Sequence, residues 1–155
     1  MDIKIIVVGT LDKNYLTEGN NLFLTRIKNY SKIEIIELKE ISQYDVAKNI
    51  KAQTSLVSDK LSNYSEYVKV LLDINGKQLT SLQLANFIQE VKDFQNAKLA
   101  FIIGSSDGLD QNLLPKVNYR LSLGLITLPH QLCRLILLEQ IYRSFKIINN
   151  EKYHK

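Results

Sequence analysis

Short runs of Ile, Val and Leu alternate along this chain with longer stretches whose apolar residues recur at helical spacing, and few architectures accept that rhythm. Strands are expected over residues 4–8, 33–38, 67–74, 99–103 and 120–123, and helices over 13–29, 47–61, 81–96 and 130–148. Each strand is too short to cross the core twice and each helix is long enough to cover one. The pattern therefore reads as βα units forming an α/β fold, a mostly parallel sheet with helices on both faces. The third helix has the sharpest start, because Thr80 and Gln83 are spaced to satisfy each other's backbone donors ahead of the apolar stripe Leu84, Ile88 and Val91. No repeat, linker or low-complexity segment interrupts the series, so residues 1–155 are expected to form one domain.

The last helix starts just after Pro129, where a missing N–H has no consequence. Leu132, Leu135, Ile136, Leu138, Tyr142 and Phe145 give it one broad apolar face, and Leu137, Ile141 and Ile148 carry apolar surface further round. Such a helix packs on two sides. The expectation is that the second side meets another copy of the chain in a two-fold dimer, the alternative being a helix buried centrally within one protomer.

Charge and cysteine content exclude several classes. The net charge of +4 permits a polyanionic partner such as RNA without requiring one. A single cysteine, Cys133, rules out an internal disulfide, and with only two histidines it leaves no multi-cysteine zinc site, so no metal is expected. A reducing cytoplasm suits that usage. The apolar run near the N-terminus is too short, and too close to Asp2, to read as a signal peptide or membrane span.

Five of the six glycines, Gly9, Gly76, Gly104, Gly108 and Gly124, fall at or just beyond expected strands. Ligands of open parallel sheets bind outside the carboxyl ends of the strands, where glycine lets the backbone approach them. Three segments, 73–76, 104–108 and 123–128, are therefore candidates to line one pocket, although glycine at a strand end is also an ordinary turn residue. Gly104-x-x-x-Gly108 lacks the middle glycine of a dinucleotide motif and the lysine of a phosphate loop, which argues against NAD and ATP. Asp73 without a second acid after the first strand argues against a phosphorylated receiver domain. The residues alone thus describe a small ligand held by main chain and aliphatic walls.

Ordered blocks along the whole chain resemble one known family. They are Val7-Val8-Gly9-Thr10, Leu72-Asp73-Ile74-x-Gly76-Lys77, Phe101-Ile-Ile-Gly104-x-x-x-Gly108-Leu109, Leu121-Ser122, Thr127-Leu-Pro-His130-Gln, Arg134, Glu139-Gln-x-Tyr142-Arg143 and the tail Tyr153-His154-Lys155. Together they are similar to the ribosomal RNA large subunit methyltransferase H family. The resemblance implies a SPOUT-type fold with a C-terminal trefoil knot, and a homodimer that uses S-adenosylmethionine to methylate N3 of a pseudouridine in 23S ribosomal RNA. It places the cofactor on Leu72, Gly104, Leu123, Gly124, Leu125, Ile126, Thr127 and Leu128, the loops already singled out by their glycines. His154 is the expected general base, since an unperturbed histidine titrates nearest working pH. Tyr153 would position or stack on the base, Arg134 and Arg143 would serve RNA phosphate or the dimer contact, and Lys155 would contact RNA. Glu139 stands four residues before Arg143, so a helix-surface ion pair is an equal reading of that arginine. Two departures stand out: Ser105 where the family usually has a second glycine, and Glu151-Lys152 where many relatives have His-Pro. A knotted methyltransferase acting on another RNA such as tRNA, and a non-catalytic dimer of the same fold, are the alternatives.

Overall fold

The computed structural model describes residues 1–43 and 45–153. His154 and Lys155, the expected base and one expected RNA contact, lie outside the described residues. Five strands, β1 (Asp2–Val8), β2 (Lys32–Leu38), β3 (Val68–Gln78), β4 (Lys98–Ile103) and β5 (Tyr119–Ser122), form one sheet in the order β2-β1-β4-β3-β5, with every pairing parallel. The helices are α1 (Asn14–Ile27), α2 (Val46–Ser62), α3 (Ser81–Phe94) and α4 (His130–Ile148), with a 3-10 helix at Gln111–Lys116.

The period-2 alternation of each strand divides the core in two. Ile3, Ile5 and Val7 of β1 and Leu99, Phe101 and Ile103 of β4 join Ile27, Ile88, Val91, Leu138 and Ile141 on the face covered by α1, α3 and α4. Ile6, Val8, Leu71 and Ile102 point the other way, onto Val57 and Leu61 of α2 and Leu113 of the 3-10 helix. Both faces are covered, which is why the central strands read as unbroken apolar runs.

Thr80 caps α3 as its spacing predicts: Gln83 N donates to Thr80 Oγ1 at 3.2 Å while Thr80 N donates to Gln83 Oε1 at 2.9 Å. Thr80→Ala is expected to cost about 1 kcal/mol, a fall of roughly 2–4 °C in melting temperature. An unchanged melting curve would show that the cap contributes nothing.

The structure supplies partners for α4 within the protomer. Both flanks of this helix are met inside the protomer, by α1 and by α3. The approach to α1 is close enough to require a glycine, since a Cβ on Gly19 would lie 3.0 Å from Leu135 Cδ1. The apolar breadth of α4 is thus explained by a central position on one sheet face.

Candidate cofactor hollow and C-terminal cluster

A parallel sheet puts all its carboxyl ends on one edge, and the order β4-β3-β5 makes three of those ends neighbours there. Leu71 is level with Ile102, and Leu72 with Leu121, so Leu72, Gly104 and the segment from Leu123 leave the sheet side by side. Segments nominated by their glycines thus share one location, although the glycines do different work.

Gly76 does not open a pocket. Leu121 is level with both Leu72 and Lys77, so residues 73–76 loop out of β3 and return. The excursion is pinned by Asp73, whose Oδ2 accepts from Arg120 Nε at 2.8 Å and whose Oδ1 accepts from Asn75 N at 2.9 Å. Gly76 then lies directly on β5: a Cβ there would stand 2.8 Å from Arg120 C, Leu121 C and Leu121 N. Gly9 likewise has a packing role, because a Cβ on it would come within 3.1 Å of His130 Nε2 and 3.4 Å of Glu40 Oε2. His130 accordingly seats the start of α4 against the end of β1.

The loop after β4 is a tight turn. Gly108 N donates to Ser105 O at 3.0 Å, and Gly108 takes φ +83°, which disfavours a side chain. A Cβ on Gly104 would press on Leu109 Cγ at 3.1 Å. Ser105 is buried, and its hydroxyl finds no hydrogen-bond partner among the described residues. A polar group left so is worth about 1–3 kcal/mol to any atom that satisfies it.

The 123–128 segment is fixed at one end by Ser122, whose Oγ donates to Gly124 O at 2.9 Å and accepts from Gly124 N at 3.2 Å. Gly124 has φ +135°, and the space on the Cβ side is open, with nothing within 4 Å. Beyond it Leu125 and Ile126 are 80% and 79% exposed, two adjacent aliphatic side chains displayed beside a glycine. Cys133 packs under the far end near Leu128, and burial pushes its thiol above the ordinary value, consistent with an inert packing residue.

These described residues make an open surface of main chain and aliphatic side chains. Two cavities, of about 290 and 430 Å³, lie elsewhere, between α2, the 3-10 helix and the start of β3. The space on the Cβ side of Gly124 is open, and the Ser105 hydroxyl is buried without a partner among the described residues.

The C-terminal cluster forms away from these loops. Tyr153 OH donates to Glu139 Oε1 at 3.1 Å, its ring meets Tyr142 edge-on at 4.9 Å between centroids, and the Arg143 guanidinium carbon stands 4.9 Å from its centroid. Arg143 also donates to Glu139 Oε1, 2.8 Å from NH2. Burial, then the bond to Glu139, raises the Tyr153 pKa, so its phenol stays protonated at neutral pH. Arg134 is buried and held by Glu37 Oε1 at 2.6 Å from NH1. The Glu139–Arg143 contact is the helix-surface pair that their spacing offered, whereas Glu37, which holds Arg134, carried no motif and was not picked as a site residue.

Among the described residues no group of three or more His, Cys, Asp or Glu could hold a metal, and no helix is long and apolar enough to cross a membrane.

The fold and its strand-end loops define the class to which this chain belongs. A family model described as "Predicted SPOUT methyltransferase" matches residues 1–154. Curated relatives named "Ribosomal RNA large subunit methyltransferase H" include one from Mycoplasma capricolum subsp. capricolum, 45% identical over 155 residues, and one from Mesoplasma florum, 41% identical over 155 residues, each with 100% of both chains covered. A third, from Carboxydothermus hydrogenoformans, is 41% identical over 161 residues with the same full coverage. The chain belongs to the ribosomal RNA large subunit methyltransferase H family of SPOUT methyltransferases. A solved structure titled a probable methylase family protein from Haemophilus influenzae Rd KW20 overlays 96% of this chain and 66% of that chain at 12% identity with a TM-score of 0.48, too distant a likeness to carry any argument.

Proposed function

We propose that this protein methylates N3 of a pseudouridine in 23S ribosomal RNA, using S-adenosylmethionine, as a cytoplasmic homodimer whose C-terminal segment is threaded as a trefoil knot. Family membership supports the reaction class, and the relatives' printed names supply the large-subunit RNA. The observation that supports the cofactor assignment is that β3, β4 and β5 are neighbours in the sheet, so that Leu72, Gly104 and the segment from Leu123 leave one edge side by side.

When bound, S-adenosylmethionine supplies an activated methyl group on its sulfonium. The protein must align that group with a ring nitrogen and help remove the nitrogen's proton. Gly104 and 123–128 hold the donor by main chain, Leu72, Leu125 and Ile126 shield it from water, and Ser105 offers a hydroxyl. His154 accepts the proton. Tyr153, fixed by Glu139 and Arg143, orients the target base without changing its own ionisation. Of the arginines, Arg143 is the better placed to meet phosphate, since its side chain is 25% exposed and that of Arg134 only 9%.

The homodimer reading gains support from distance along α4. Glu139 lies about 14 Å from His130 along the axis and Arg143 about 20 Å, at 1.5 Å per residue. A tail docked at Glu139 is therefore far from its own cofactor loops, and a second protomer would bring a tail to them.

Titration calorimetry with S-adenosylmethionine and with its demethylated product tests the cofactor assignment. Binding is expected from both, and at a hundredfold excess over Kd a stabilisation of about 2.7 kcal/mol should raise the melting temperature by roughly 5–11 °C. Absence of heat and of any thermal shift would mean that the cradle holds no methyl donor. Ribosomal RNA from cells lacking the protein should be lighter by one methyl group at a single pseudouridine. An unaltered mass at every pseudouridine would direct attention to another RNA.

A further inference from the structure

The two cavities that lie off the cofactor hollow share Ser58 and Lys116, and so form one continuous trough between α2, the 3-10 helix and the start of β3. Its wall on α2 runs from Lys51 through Ser58 to Ser62 on a single helical stripe, about 16 Å long at 1.5 Å per residue. Lys51, Lys69 and Lys116 line it, and among the described residues none of the three takes part in an ion pair. The only carboxylate in the lining, Asp110, is engaged by Asn112 N at 2.8 Å. Among the described residues the remaining polar lining is hydroxyl and amide, with Ser58 Oγ accepting from Lys116 Nζ and Asn118 Oδ1 from Lys69 N, and no aromatic ring is part of it.

We propose that this trough is a docking track for an RNA phosphodiester backbone, seated beside the methyl-transfer site. The inference rests on the functional reading above and extends it to a surface on the sheet face opposite α4. Three unneutralised ammonium groups spread along a furrow suit a polyanion better than a single phosphate, and flexible lysines with neutral donors are the groups that hold phosphate oxygens. The lack of aromatic platforms argues for contact with backbone and not with stacked bases. Its position suits the role: Asp110, at one end, follows the 104–108 loop directly, and the 3-10 helix leads into β5 and from there to 123–128. RNA held in the trough would thus be registered against the cofactor loops.

The test is the triple variant K51Q/K69Q/K116Q in the full-length protein, titrated against large ribosomal subunits and against protein-free 23S RNA over a range of salt. Removing three phosphate contacts should flatten the plot of log affinity against log salt by about 2–3. The KM for subunits should rise at least tenfold while kcat, S-adenosylmethionine affinity and melting temperature hold. K51R/K69R/K116R should restore the slope, and K28Q/K92Q, two exposed lysines elsewhere on the surface, should leave it alone. A triple variant that binds and methylates like a functional wild type overturns the track and leaves the methyltransferase reading intact. Weaker binding to subunits with unchanged binding to protein-free RNA would make the partner a ribosomal protein, which also overturns it. Wild type that binds neither probe at low salt defeats the RNA reading and this inference together.

Discussion

His154→Ala is expected to slow single-turnover methyl transfer by about 10²-fold or more, the usual worth of a positioned general base. The target nitrogen carries a proton that must leave as the methyl arrives, and the donor cannot take it. Tyr153 is not available for the task, because burial and Glu139 keep its phenol protonated. The adjacent histidine is the remaining group of suitable basicity. A base must be unprotonated to act, so the wild-type rate should climb with pH through the histidine range and the variant should lose that limb. Tyr153→Phe, which removes only the hydroxyl bonded to Glu139, should cost about tenfold or less, in line with a single hydrogen bond. Both variants should bind S-adenosylmethionine as wild type does. A His154→Ala protein with undiminished single-turnover rate would require a different proton acceptor.

Gly76→Ala is expected to destabilise the protein by about 3 kcal/mol, the upper part of the range for overpacking a tight interior, or roughly 6–12 °C in melting temperature. The new methyl would meet three backbone atoms of β5 at 2.8 Å, and backbone, unlike the end of a side chain, cannot step aside. Either β5 separates from β3 or the 73–76 excursion unfolds. Since β5 delivers the 123–128 segment, cofactor affinity should fall with stability. Gly124→Ala is the instructive comparison: it meets no atom within 4 Å and carries only the strain of φ +135°, about 1–2 kcal/mol, so it should cost less stability. Equal melting temperatures for Gly76→Ala and wild type would mean that β5 is not held as described.

The regular elements were legible because local physics specifies them. Ile/Val runs of four to seven residues, the Thr80–Gln83 cap and Pro129 ahead of α4 each act within a few residues, and the structure places strands and helices within a few residues of the expected limits. The excursion at 73–76 and the 3-10 helix were not legible. The first depends on β5 lying against Gly76, a contact across more than forty residues, and the second on Leu113 reaching a core it shares with Val57 and Leu61. Gly76 and Gly124 look alike in a sequence, yet one is forced by a neighbouring strand and the other faces open space. The partners of α4 within the protomer, α1 and α3, are distant in sequence, so its breadth alone could not tell a central position from a dimer contact. The candidate loops were nominated from glycine placement and coincide with what the family resemblance implies. The buried hydroxyl of Ser105 and the lysine trough required coordinates.

The most direct test is a backbone amide map of the protein titrated with S-adenosylmethionine, by NMR on uniformly labelled sample. Shifts concentrated at Leu72, 104–109 and 123–128 are the predicted result, with the amides lining the lysine trough unmoved. Perturbations confined to that trough, or none anywhere at saturating donor, would contradict the assignment of a methyl-donor site to the joined ends of β3, β4 and β5.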